Sequence, residues 1–245
     1  MKYAIDGENC LYEDQTFNGK LLSDFRVNRA WPDGGRFDIG PNSIPGSQRD
    51  ELFMGKWSAE KTGEYSVKII SPVPNKMGIE VSREYILNSH NTTLKVNQTM
   101  KNITDKTISR HFWNRTFCPA GGILTLPKDK NSVHPDDYQI MNDSTNKAGN
   151  RLSSTNCTID FKALASAIKM GTDSKKGWIS YSQNGLLITI KFHIDKKENY
   201  IDSENNTTIF YTNGIVVELE PVSPTYEIRP NEIVSFCQKW ILRKV

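Results

Sequence analysis

The stretch GIEVSREYILNSHNTTLKVNQTMKNITDKTISRHFWNRTF, residues 78–117, decides the fold class of this chain of 245 residues. Apolar and polar residues alternate in three successive runs, at 78–87, 92–103 and 107–117. The runs are separated by NSHN and TDK, which are residue types typical of tight turns. Alternation with a period of two is the signature of a half-buried β-strand. The stretch therefore predicts three consecutive antiparallel strands.

The same pattern continues on both sides of this stretch. The QNG and TNG sequences that end two of the further runs favour tight hairpins. So many short strands with short connections predict an all-β fold, a large antiparallel β-sandwich with few or no helices, formed by residues 1–245 as a single domain. The further predicted strands are 63–71, 177–183, 185–194, 207–212, 214–220 and 232–242.

Two segments depart from the alternating pattern. In DFKALASAIKM, the apolar residues Phe161, Leu164 and Ile168 recur at helical spacing, which predicts a short helix over 161–170. Residues 128–155 are polar and rich in turn formers, so we expect a long, mostly irregular loop there.

Composition excludes several classes of protein. The net charge of +3 is spread along the chain without a basic block, which argues against nucleic acid as a partner. No apolar run is long enough to span a bilayer. The four cysteines are widely spaced and form no C-x-x-C pair, so we expect free thiols, no metal site and no cofactor.

The cellular compartment is left open by the sequence. The N-terminal residues MKYAIDGENCLYEDQ contain no apolar stretch of signal-peptide length. The protein would be periplasmic or extracellular if a leader has been removed, and cytoplasmic otherwise. Oligomeric state is equally open.

The run TISRHFWNRTF places three residues suited to sugar binding on one strand face. Alternation puts His111, Trp113 and Arg115 on the same side. An indole covers the apolar face of a pyranose, while His and Arg hydrogen-bond its hydroxyl groups. The alternative is a solvated strand face with Trp113 covered by a loop.

The stretch GIVVELEPVSPTYEIRPNEIV, residues 214–234, puts two carboxylates into an apolar strand. Alternation separates a core face, with Ile215, Val217 and Leu219, from a face that carries Glu218 and Glu220. Buried carboxylates are costly unless they are paired or functional. If the two share a pocket, their repulsion raises one pKa and provides an acid and a base together. The alternative is surface pairing with arginines, which contributes about 0–1 kcal/mol.

The order of VSREYIL, LKVNQTMKN, HFWNRTF, GGILTLP, GWISY, FYTNG and VELEPVSPTYEIRPNE resembles the galactose mutarotase-like superfamily. This superfamily includes the aldose 1-epimerases and has a β-supersandwich fold. The stretch PDGGRFDIGP, residues 32–41, is similar to a bacterial branch of it. The resemblance extends over nearly all of the chain from Tyr3 onward, and the start resembles a domain that lacks its first strand or two.

The resemblance implies roles for individual residues. Epimerases of this superfamily open and reclose a sugar ring with a glutamate base and a histidine acid. ELEP followed by IRPNE matches the base region, which makes Glu218 the implied base and Glu220 the counterpart of a glutamine. HFWN makes His111 the nearest counterpart of the acid. A second sugar-facing histidine of epimerases has no counterpart near LFMGKW.

Two further pairs of residues are candidates for the same site. Arg36 and Asp38 lie in the glycine-rich stretch GGRFDIGP, which we expect to form a loop that approaches a ligand. Lys191 and His193 share a face of the predicted strand 185–194 and are candidates for the border of the pocket. For each of these, the alternative is an ordinary turn or a solvated strand face.

These observations favour a carbohydrate-binding protein that recognises a mono- or oligosaccharide on a concave sheet face. The second hypothesis is an aldose 1-epimerase with Glu218 as base and His111 as acid. It ranks below sugar binding because the second histidine of epimerases is absent. A third alternative is a structural domain of a cell-surface assembly that handles glycans, which would offer an exposed sheet edge to a partner.

Overall fold

A computed structural model describes residues 2–17, 33–142, 149–164, 166–195, 200 and 204–245. Over these residues the chain is almost entirely antiparallel β-structure, with one short helix, α1. The elements are β1 (Ala4–Ile5), β2 (Glu8–Asn9), β3 (Gly35–Gly40), α1 (Gly46–Met54), β4 (Ser58–Gly63), β5 (Ser66–Ile70), β6 (Ile79–Leu87), β7 (Leu94–Asn102), β8 (Ile108–Pro119), β9 (Ile123–Pro127), β10 (Gln139–Ile140), β11 (Leu152–Ser154), β12 (Thr158–Lys162), β13 (Ile168–Thr172), β14 (Trp178–Gln183), β15 (Leu186–Phe192), β16 (Thr208–Thr212), β17 (Val216–Pro221), β18 (Tyr226–Ile228) and β19 (Ile233–Lys244).

These strands form two large sheets and one small hairpin. The larger sheet has ten strands in the order β11-β12-β9-β14-β15-β19-β7-β6-β5-β4, and the hairpin pairs β1 with β2. In the smaller sheet of seven strands, β10-β13-β16-β17 leads to β8. There β17 and β18 pair with the two ends of β8 on one side, and β3 pairs with its middle on the other.

The two large sheets pack face to face through an apolar core. Phe112 of β8 stacks on Phe236 of β19 with 6.0 Å between ring centroids. The ring centroids of Phe161 of β12 and Phe210 of β16 lie 5.0 Å apart, with the two rings tilted by 45°. Each sheet therefore has an inner face in the core and an outer face away from it, because successive side chains on a strand point to opposite sides.

The prediction of an antiparallel all-β fold is confirmed. Each of the three runs in residues 78–117 forms a strand, β6, β7 and β8, and the three follow one another as the alternation indicates. The tight hairpin predicted at QNG joins β14 to β15, where Asn184 and Gly185 both have positive φ. That conformation is what a two-residue hairpin loop requires.

The helix predicted over 161–170 is wrong. Residues up to Lys162 belong to β12 and those from Ile168 onward to β13. Phe161 is buried between the sheets and pairs with Leu124 of β9, so packing overrides the local helical spacing. Ala165 lies outside the described residues.

Two loop predictions have different outcomes. The described part of 128–155 is mostly irregular, as predicted, with only the short strands β10 and β11 and a 3-10 turn at Gly149–Arg151. The stretch GGRFDIGP is not a loop, because Gly35–Gly40 forms β3 along the middle of β8. The prediction of a ligand-binding loop there is therefore wrong in structure, although its residues do reach the site described below.

Within the described part of the chain, no helix is long and apolar enough to cross a membrane.

Candidate functional site

The outer face of the seven-stranded sheet carries a row of polar side chains from β3, β8 and β17. The β3–β8 ladder is in register, so Arg36 lies opposite Arg115 and Asp38 lies opposite Trp113. Side chains directly opposite one another in an antiparallel pair are on the same face and about 5 Å apart at Cβ. On the other side of β8, β17 adds Glu218 and Glu220 to this face. Register alone thus brings two arginines and three carboxylates together.

Arg115 is the centre of this cluster. Its Nε donates to Glu218 Oε2 at 2.5 Å, and its Nη1 donates to Asp38 Oδ2 at 2.9 Å. Arg36 Nε approaches the same Asp38 oxygen at 3.2 Å. The side chain of Arg115 is 14% exposed, whereas both carboxylates are buried. One guanidinium is therefore shared by two buried acids.

Because Arg115 is shared with Asp38, its positive charge offsets the buried negative charge of Glu218 only in part. The pKa of Glu218 is raised to about 7, because burial and, to a smaller extent, the charge of Glu220 raise it by more than the attraction of Arg115 lowers it. Its second oxygen, Oε1, has no hydrogen-bond partner in the described structure. For Arg115, burial opposes the charged form, but the charges of Glu218, Glu220 and Asp38 outweigh it and hold the pKa above its ordinary value. Glu218 can therefore exchange a proton near neutral pH, while Arg115 stays charged.

Trp113 is fixed by the second glutamate. Its indole Nε1 donates to Glu220 Oε2 at 2.6 Å, and Glu220 is fully buried. Lys169 Nζ of β13 lies 4.8 Å from the centroid of the indole ring. The residue is only 8% exposed, and the guanidinium carbon of Arg115 lies 5.4 Å from the centroid of its ring, so little of the indole is open to a ligand. The low exposure of Trp113 does not support the expectation that its indole covers the face of a pyranose.

A small pocket of about 80 Å³ lies beside Trp113. It combines carboxylate, ammonium, carboxamide and imidazole groups with apolar side chains. Apolar walls with a few convergent polar groups are the usual composition of a small-molecule site. The described residues that line it are Asn42, His111, Trp113, Met141, Lys169, Glu204, Ile209 and Val222.

The predicted partnership of His111 with Glu218 is not supported by the register. Glu218 pairs with Phe117, which is six residues along β8 from His111. At 3.3 Å per residue, this separates the two positions by about 20 Å along the strand. Neither side chain spans such a distance, and Trp113 and Arg115 lie between them. His111 belongs with the small pocket, whereas Glu218 belongs with the arginine cluster.

Three other expectations are corrected by the structure. Lys191 and His193 are exposed and lie on β15 or just after it, in the ten-stranded sheet. Their neighbours Ile190 and Phe192 face the core, so Lys191 and His193 point away from the seven-stranded sheet. Ile215, expected in the core with Val217 and Leu219, is 54% exposed because it precedes the first residue of β17.

Two residues of this face were missed by the sequence analysis. Tyr211 of β16 lies opposite Glu218, and Lys169 lies opposite Tyr211. Burial and the charge of Glu218 raise the pKa of Tyr211, so its phenol stays protonated at neutral pH. Alternation in 207–212 would have placed Tyr211 on this face once Glu218 was there. Lys169 was hidden by the wrong helix over 161–170.

The described residues contain no group of three His, Cys, Asp or Glu side chains that could hold a metal ion. All four cysteines are free thiols, two of them buried, as the sequence predicted.

Comparison with solved structures identifies the fold. A protein of Synechocystis sp. PCC 6803 superposes with a TM-score of 0.60 at 15% identity, covering 99% of this chain and 87% of that one. A galactose mutarotase-like protein of Lactobacillus casei gives 0.55 at 10% identity, over 77% and 73%. A candidate mutarotase of Salmonella typhimurium gives 0.54 at 8% identity, over 85% and 74%.

The chain therefore has the galactose mutarotase-like fold, which the resemblance seen in the sequence implied. At identities this low the likeness establishes the fold alone. No protein-family model matches the sequence, and no curated protein matches it.

Proposed function

We propose that this protein binds a carbohydrate on the outer face of the seven-stranded sheet, in the pocket beside Trp113. The observation that carries the proposal is the lining of that pocket. His111, Lys169, Asn42 and Glu204 supply donors and acceptors around an apolar wall. The mutarotase-like fold adds an analogy, since the solved neighbours with this fold include a galactose mutarotase-like protein and a candidate mutarotase.

The test is a binding titration with matched lysine variants. Wild-type protein is titrated with neutral aldoses, amino sugars and uronates, and binding is followed by NMR. Lys169→Met removes a hydrogen-bond donor from the pocket and should weaken the affinity about tenfold, equivalent to about 1.4 kcal/mol. Lys191→Met makes the same change on the outer face of the other sheet and should leave the affinity unchanged. Equal affinities in the two variants, or no binding of any sugar by wild type, would contradict the proposal.

Mutarotase chemistry is the second candidate, and the environment of Glu218 favours it. A carboxyl group with a pKa near 7 and a free oxygen is suited to general base catalysis at neutral pH. His111 lies too far along β8 to serve as its acid. Tyr211, the cross-strand neighbour of Glu218, is a better-placed proton donor.

Polarimetry distinguishes the two candidates. If the protein is a mutarotase, wild type accelerates anomer exchange of an aldose, and Glu218→Gln and Tyr211→Phe each remove most of that acceleration. His111→Ala should retain it. If the protein only binds sugar, none of the four proteins exceeds the rate in buffer.

A further inference from the structure

Gly40 is the last residue of β3 and lies directly opposite His111 in the β3–β8 ladder. The imidazole of His111 lies over the α-carbon of Gly40, in the space that a side chain at position 40 would occupy. A Cβ built on Gly40 would lie 1.8 Å from His111 Cε1, 2.0 Å from Nε2 and 2.6 Å from Nδ1. Real Cβ atoms do not approach other heavy atoms this closely. Glycine is thus the one residue that fits under this ring.

The ladder prevents the backbone from relieving such a contact. β3 pairs with β8 over six consecutive residues, from Gly35 to Gly40. The opposite side of β8 is held by β17 and β18, so β8 cannot shift without disturbing several pairs of strands. A side chain at position 40 would therefore have to be accommodated by rotation of the imidazole.

His111 is buried and forms part of the wall of the small pocket, beside Trp113. Rotation of its ring would change the shape of that wall and the position of its two nitrogens. The width of the pocket on the β3 side thus depends on the absence of a side chain at position 40.

We propose that Gly40 is a positioning residue, which seats the imidazole of His111 against β3 and so fixes one wall of the pocket. The consequence for sugar affinity rests on the proposed function of the pocket, whereas the seating itself does not. Gly40 touches no ligand in this proposal and acts only through His111.

The test compares Gly40→Ala with Gly46→Ala. Gly46, the first residue of α1, has open space around its Cβ position and does not have a positive φ, so it is a control for a Gly→Ala change without a steric conflict. The four histidines give few imidazole resonances, and His111→Ala identifies the one that belongs to His111. Gly40→Ala should shift that resonance and leave those of the other three histidines in place. Gly46→Ala should shift none of the four.

A double-mutant cycle separates seating of the ring from general damage to the strand. Gly40→Ala should lower the melting temperature of the wild type clearly more than Gly46→Ala does. In the His111→Ala background the ring is gone, so Gly40→Ala should cost no more than Gly46→Ala. Where a sugar ligand has been found, Gly40→Ala should also weaken its binding about tenfold, as expected for one displaced hydrogen-bonding side chain.

Failure of this proposal is distinct from failure of the proposed function. An unmoved His111 resonance in Gly40→Ala, or an equal loss of melting temperature with and without His111, would overturn the seating of the ring. A shifted resonance together with unchanged sugar affinity would keep the seating but overturn its role in the pocket.

Discussion

The outer faces of the two sheets carry similar residues in very different surroundings. On the ten-stranded sheet, Lys191 and His193 are exposed to solvent, and the cross-strand neighbours of Lys191 are Trp178 and Lys239. On the seven-stranded sheet, Arg115 and Glu218 are held in a buried network of charges. Both faces arise from the same alternation of apolar and polar residues. Alternation therefore predicts which face of a strand is polar, but it does not predict whether that face is exposed to solvent.

The cost of losing one charged side chain should differ strongly between the two faces. Arg115→Met leaves Asp38 and Glu218 buried without their shared cation, and breaking a buried ion pair in this way costs about 3–5 kcal/mol. Lys191→Met on the other sheet should change stability by less than about 0.5 kcal/mol. Urea denaturation of both variants measures the difference. Similar losses of unfolding free energy in the two variants would show that Arg115 does not stabilise the buried carboxylates.

The buried position of Glu218 should also make the stability of the protein depend on pH. The pKa of Glu218 is higher in the folded than in the unfolded protein, so the folded state binds more protons between these two values. Stability contributed by this group is present below about pH 4.5 and is lost as the pH rises to about 7, by at most about 3 kcal/mol.

Glu218→Gln removes this titration while it keeps the shape of the side chain. Thermal unfolding of the variant from pH 5 to pH 8 should therefore show a smaller decline than that of the wild type. Parallel curves for the two proteins would mean that Glu218 titrates at an ordinary value in the folded state.

The two faces also differ in how they hold tryptophan. Trp113→Phe removes the donor at 2.6 Å from Glu220 and leaves a buried carboxylate without that bond, which should cost about 1–3 kcal/mol. Trp178 lies opposite Lys191 on the other sheet and is only half-buried. Trp178→Phe, measured in the same denaturation experiment, should cost less. A larger cost at Trp178 would contradict the importance given to the bond between Trp113 and Glu220.

The smallest effect is expected at His193. His193→Ala should leave both stability, within about 0.5 kcal/mol, and any sugar affinity as in the wild type, because the side chain is exposed and lies on the far sheet. His111→Ala is the matching change on the near sheet and should reduce sugar affinity. Reduced binding in His193→Ala would place the ligand on the other side of the sandwich.

Much of the candidate site followed from local pattern. The shared face of His111, Trp113 and Arg115 was predicted by alternation alone and agrees with the register of β8 against β3. The two glutamates fell on one face of β17 for the same reason. Alternation within a single strand is a local property, so it survives folding unchanged.

The distances between residues on different strands could not be predicted from the alternation of apolar and polar residues. His111 and Glu218 were matched by resemblance, but the pairing of β17 with the far end of β8 separates them by about 20 Å. Register between strands that lie a hundred residues apart in sequence depends on the whole sheet. The seat of His111 on Gly40 depends on it too, because it requires β3 to lie along the middle of β8.

The sequence by itself determined that this chain is an antiparallel β-sandwich and which side chains of each strand are polar. Only the tertiary structure decided which polar face is buried, which acid meets which arginine, and that Lys169 and Tyr211 join the site. The reason is physical. The pattern of side chains along a strand is set by the covalent geometry of its own backbone, whereas burial and charge pairing are set by neighbours that the fold brings from elsewhere in the chain.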